Sequence, residues 1–105
     1  SHMKGMDKML QQEKTYPILL PKGYQDENGE MHRAGEMRKG TPRDEVLAML
    51  DPRSRQQEGF GLILLLGSVI QRLGTLENVD ETIIASLDKE DLEYLKEQYR
   101  IINEA

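Results

Sequence analysis

Any acid–base chemistry in this chain has to start from His32. It is the only histidine beyond Ser1-His2-Met3, a start with the form of a cloning remnant that is set aside together with His2. An imidazole acts as a base or a metal ligand when neighbouring groups orient it and share the work. No cysteine is present, which removes thiolate nucleophiles, thiolate metal sites and disulfides together. Neither a Gly-x-Ser-x-Gly elbow nor a phosphate-gripping glycine-rich loop occurs. The paired carboxylates Asp44-Glu45 and Asp80-Glu81 fall where helices are expected to begin, and attraction to the helix dipole explains them. His32 itself sits in a segment of alternating character, where a structural role is the expectation. These residues point to a protein that is not an enzyme and that needs no cofactor and no metal.

The run Asp26-Glu27-Asn28-Gly29-Glu30 resembles the opening of a calcium loop. A helix-flanked calcium loop also needs an acid at its twelfth position, and counting from Asp26 that position is Met37. A tight turn is the better reading, because Asn-Gly tolerates the positive φ that hairpin turns require.

The elements that would position these residues follow from pattern. Residues 1–13 have no periodicity and read as a disordered leader, and one α+β domain is expected over 14–105. Thr15 to Leu20 is β-rich, with Pro17 restricting it to an edge or a strand start. After the turn, Met31, Arg33, Gly35 and Met37 alternate with His32, Ala34, Glu36 and Arg38, so a β-hairpin is expected between about 15 and 39. Thr41 as cap, Pro42 at the first helical position and Asp44 at the third open a helix that Asp51-Pro52 ends, with Val46, Leu47 and Leu50 as its apolar face. A second helix is expected from about Ser54 to Leu73, stopped by Gly74. Leu62 to Leu66 is apolar all round, which predicts burial of this helix on every side. Capping patterns at 78–81 and 88–91 predict two more helices, with Val79, Ile83, Ile84 and Leu87, then Leu92, Leu95, Tyr99 and Ile102, on their buried faces. The expected architecture is an N-terminal β-hairpin packed on a small bundle of three to four α-helices.

Charge bounds the partners. The 105 residues carry a net −5, whereas nucleic-acid binding draws most of its affinity from cations facing phosphates, so nucleic acid is not an expected partner. The apolar run 60–70 is shorter than the roughly 20 residues that a spanning helix needs, so no membrane partner is expected either. Arg33, Arg38, Lys39, Arg43, Arg53 and Arg55 gather in the middle of the chain, and acids dominate its last third. Used functionally, this polarity would steer an oppositely charged protein or order the self-association of a homo-oligomer.

Residues 20–45, LPKGYQDENGEMHRAGEMRKGTPRDE, set a Pro-x-Gly-Tyr strand end, an Asp-x-Asn-Gly turn, a His-Arg strand and a Thr-x-Arg-Asp-Glu helix start in order. This run resembles the small tail assembly chaperones of tailed phages, the Mu-like and P2-like group found in prophages. The matching positions are Leu20, Pro21, Gly23, Tyr24, Asp26, Gly29, His32, Arg33, Arg43, Asp44 and Glu45. An aliphatic helix ending in Arg72-Leu73-Gly74 and a last helix opened by Asp88 are similar too, so the resemblance spans about 15–104. Pro42 and the leader depart from it. The resemblance implies a protein of the bacterial host cytoplasm that transiently binds the helical tape-measure protein during tail morphogenesis. Partner-binding candidates are Tyr24, His32, Arg33 and Arg43, with Met31, Met37 and Met49 as an adaptable apolar surface near the hairpin–helix junction. Two other readings stand beside it: a structural tail or baseplate component, and a small DNA-binding regulator using 41–51 and 54–73 as a helix-turn-helix.

Overall fold

The computed structural model describes residues 14–105; the expected disordered leader, 1–13, lies outside the described residues. The chain forms β1 (Thr15–Gln25), β2 (Met31–Arg38), α1 (Pro42–Leu50), α2 (Arg53–Gln56), α3 (Phe60–Val69), β3 (Ile70–Leu73), α4 (Glu81–Ala85) and α5 (Lys89–Glu104). The strands make one antiparallel sheet in the order β1-β2-β3. The fold is α+β, with the expected hairpin packed on helices.

The hairpin turn forms where Asn28-Gly29 predicts it. Gly29 adopts a φ of 83°, its amide reaches the Asp26 carbonyl at 3.0 Å, and the Asp26 amide reaches the Glu30 carbonyl at 2.9 Å. Register then slips between Leu19 and Tyr24, so the backbone of Leu20 to Gly23 bulges out of the ladder and must find other partners. It finds them on α5 and on Arg33, whose Nε donates to the Leu20 carbonyl at 2.9 Å.

The largest departure from expectation is at 54–73, which is not one helix. Gly59, at a φ of 84°, separates α2 from α3. At the other end, residues 70–73 leave the helix and pair with β2, matching Gly35 with Leu73 and Glu36 with Arg72. A hairpin alone would leave the far edge of β2 unpaired, and β-branched Ile70 suits extended backbone. Gly35 permits this approach, because a Cβ there would lie 2.3 Å from the Arg72 carbonyl oxygen. Gly74 ends a strand, not a helix.

The helix starts divide. At α1 the expected capping box is complete: Thr41 Oγ1 accepts from the Asp44 amide and the Asp44 carboxylate accepts from the Thr41 amide. At α4 the cap is Asp80, not Asn78, and its Oδ1 accepts from the Thr82 and Ile83 amides. At α5 the Asp88 side chain makes no capping bond, and Asp91 turns away from its own helix toward β1.

Asp44 also ties β2 to α1, since Arg38 donates to both of its oxygens at 2.7 and 3.1 Å and to the Ser68 carbonyl at 3.0 Å. The Arg38 guanidinium, aided by the Thr41 donors, holds the Asp44 carboxyl down at about 2. A carboxyl depressed on folding stabilises the folded state fully above its ordinary value near 4 and loses that contribution as pH falls toward 2. Asp44→Asn is therefore expected to lower stability by about 2–3 kcal/mol near neutrality, through the lost cap and charged pair. Wild type and variant should converge only as pH falls to about 2 and below; a pH-independent difference in urea melts would contradict the assignment.

The core joins the sheet to α3, α4 and α5 through Ile18, Leu20, Met37, Leu66, Val69, Ile70, Leu73, Val79, Ile84, Leu87, Leu95 and Ile102. The buried faces expected for the last two helices hold, with Ile83, Leu92 and Tyr99 partly buried at the margin. No helix among the described residues is long and apolar enough to cross a membrane.

Candidate functional site: an outward apolar helix face and the His32 cluster

Helix α1 carries a single buried residue, Ala48, which faces α3. Residues 46 and 50 lie on the opposite side of the helix, flanked by 47 and 49, as 100° per residue requires. All four are apolar and all four face water: Val46 is 46% exposed, Leu47 55%, Met49 65% and Leu50 61%. The apolar face predicted from Val46, Leu47 and Leu50 exists, but it points away from the core. Its neighbour continues it. Leu62, Ile63, Leu64 and Leu65 of α3 are only half-buried, so the expectation of burial on every side fails. The sheet and the remaining helices cover one side of α3, and α1 crosses the other through Ala48. On one flank of that crossing a groove is lined by Glu45, Met49, Leu50, Arg55, Gly61 and Leu65. The opposite flank is more polar, with Leu47 and Leu64 facing Asp80 and Glu81.

The other chemistry-bearing cluster gathers around the hairpin turn. His32 is 2% exposed, and its Nε2 lies 2.8 Å from Asp26 Oδ2. Its Nδ1 accepts from the Thr75 amide at 3.4 Å, and Tyr24 stacks on the ring with centroids 6.3 Å apart. Since Nδ1 faces a donor, the ring carries its proton on Nε2 and donates it to Asp26. That bond, with the Glu30 and Asn28 amides, holds the Asp26 carboxyl below its ordinary range. Gly74, at a φ of 60°, closes the lid of this niche, because a Cβ there would lie 2.2 Å from Nδ1.

Asp26, Glu30 and His32 have ligand atoms close enough together to hold a cation. Tautomer chemistry opposes it. A metal on Nε2 would force the ring proton onto Nδ1, where it would confront the Thr75 N–H, and would take from Asp26 the oxygen that His32 uses. A catalytic dyad fares no better, because Nδ1 meets a backbone amide instead of a hydroxyl nucleophile and the ring is shut from substrate. The cluster braces the β1–β2 turn against the turn that follows β3.

The sequence-predicted partner residues therefore separate. Met37 is fully buried in the core and His32 is buried at the turn, so neither offers surface to a partner. Met37 is inward because β2 is the central strand and residues 35 and 37 share the face that packs on the helices. Tyr24 is half-buried over His32, and exposed Arg33 is occupied at Leu20. Met31 is exposed at the hairpin turn, at the end of β2 remote from α1. Met31, Met37 and Met49 do not form one surface. Arg43 and Met49 lie on α1, and only these two stand with the outward face. Val46, Leu47 and Leu50 were legible as an apolar stripe, but nothing local in the chain says which way a stripe will point. Comparison with protein-family models, curated proteins and solved structures returns no match.

Proposed function

We propose that the chain is a phage tail assembly chaperone that transiently binds a tape-measure-like helical protein in the host cytoplasm and leaves before the tail is complete. The observation that supports this reading is the apolar stripe of α1, which faces water beside the half-covered aliphatic run 62–66 of α3. A surface of that kind suits the apolar side of an amphipathic helix laid into a groove, with Met49 as an adaptable contact. Release requires modest affinity, so a micromolar dissociation constant is expected, roughly −8 kcal/mol.

Co-expression tests it. A tape-measure-like long helical protein is expected to be soluble when co-expressed with this chain and to aggregate without it, and purified tails should lack the chain. Equal solubility in both cases would defeat the proposal. Stoichiometric recovery in tails would favour a structural component instead.

A further inference from the structure

We infer that the α1 face is the twofold interface of a homodimer, so that the free protein stores its binding surface against a second copy of itself. This rests on the reading of that face as a protein-binding surface, but not on the identity of any other partner. Three observations select a second copy as the occupant.

The first is area. At their observed exposures, Val46, Leu47, Met49 and Leu50 present roughly 400 Å² together, the size of the largest apolar patch on a typical monomer, which is often a binding surface. Pairing two such patches, with Leu62 and Leu65 beneath them, removes about 1,000–1,200 Å² in total, which reaches the range of small specific interfaces.

The second is shape. Met49 and Leu50 project at the rim of a groove whose lining includes the small residues Ala48 and Gly61. One surface thus supplies both a ridge and a hollow to receive it, as a twofold contact demands.

Charge is the third. Glu45 stands in the first turn of α1, and Arg55 lines the same groove from α2, beyond the other end of α1. Among the described residues neither is joined in an ion pair. A twofold axis through the Met49–Leu50 region sets Glu45 of each copy against Arg55 of the other, so both charges gain a partner in one step.

Sedimentation equilibrium of the full chain alone is the test, from about 1 to 200 µM, the range that brackets a micromolar dimer. The expected mass rises from 12.1 kDa toward twice that value. Leu50→Glu, at an exposed position where circular dichroism is expected to show an unchanged fold, should weaken dimerisation at least about tenfold, or 1.4 kcal/mol. Glu45→Arg and Arg55→Glu should each weaken it several-fold, and the double variant should recover most of the loss, which an unspecific sticky patch would not do. A monomer across the whole range overturns the inference, as does failure of the double variant to recover. If the chain dimerises only after Met6, Met9 and Leu10 are changed to serine, the leader covers the face and a second copy does not. None of these outcomes bears on the co-expression result, so the two proposals fail separately.

Discussion

Asp91→Ala is expected to lower the unfolding free energy by about 2–4 kcal/mol, an effect large for a polar substitution on a helix. Asp91 has no exposed surface. Its Oδ1 accepts from the Lys22 amide at 2.9 Å and its Oδ2 from the Gly23 amide at 3.0 Å. Those amides belong to the bulged part of β1, where the ladder to β2 is interrupted. Without the carboxylate they are left under α5 with no acceptor, and each unsatisfied buried donor costs about 1–3 kcal/mol. One turn further along the helix, the Tyr94 hydroxyl accepts from the Leu19 amide at 2.8 Å, so α5 satisfies and covers the outer edge of β1. Tyr94→Phe should cost only about 1 kcal/mol, because that bond is solvent-accessible. Urea unfolding followed by circular dichroism measures both. A loss below about 1 kcal/mol for Asp91→Ala would mean that water replaces the carboxylate and that the latch is weak.

Leu66→Ala is expected to cost about 2–5 kcal/mol, and Leu64→Ala, two residues earlier in the same aliphatic run, less than about half as much. Leu66 is fully buried between the sheet and the helices, so truncation opens a cavity that rigid neighbours cannot fill. Leu64 is half-buried beside the polar flank of the α1–α3 crossing, where truncation loses contact area without enclosing a void. By composition the two positions are indistinguishable. Equal and large losses at both would show that the outer side of α3 is covered in solution as firmly as its inner side, and the α1 face would then have to be closed by something tightly bound. Equal and small losses would place the core elsewhere.

Local chemistry alone determined much of this protein. The Asn28-Gly29 turn, the Thr41-Pro42-Asp44 helix start and the 3.6-residue spacing of Leu95 and Ile102 each involve groups within a few residues of one another, and each forms as its sequence predicts. The hairpin-on-helices class follows from them. Three features were decided only by tertiary structure. Residues 70–73 became β3 because β2 offered them a free edge, and a partner 33 to 38 residues away is invisible to helical periodicity. Asp91 carries a capping signature yet caps nothing, since the bulge in β1 presents it with two amides that its own helix cannot outbid. The apolar stripe of α1 was legible as a stripe, but its direction was set by Ala48, the one side chain small enough to let α1 lie close against α3. Periodicity reveals that a face exists. What the face meets depends on surfaces contributed by distant parts of the chain, or by another molecule.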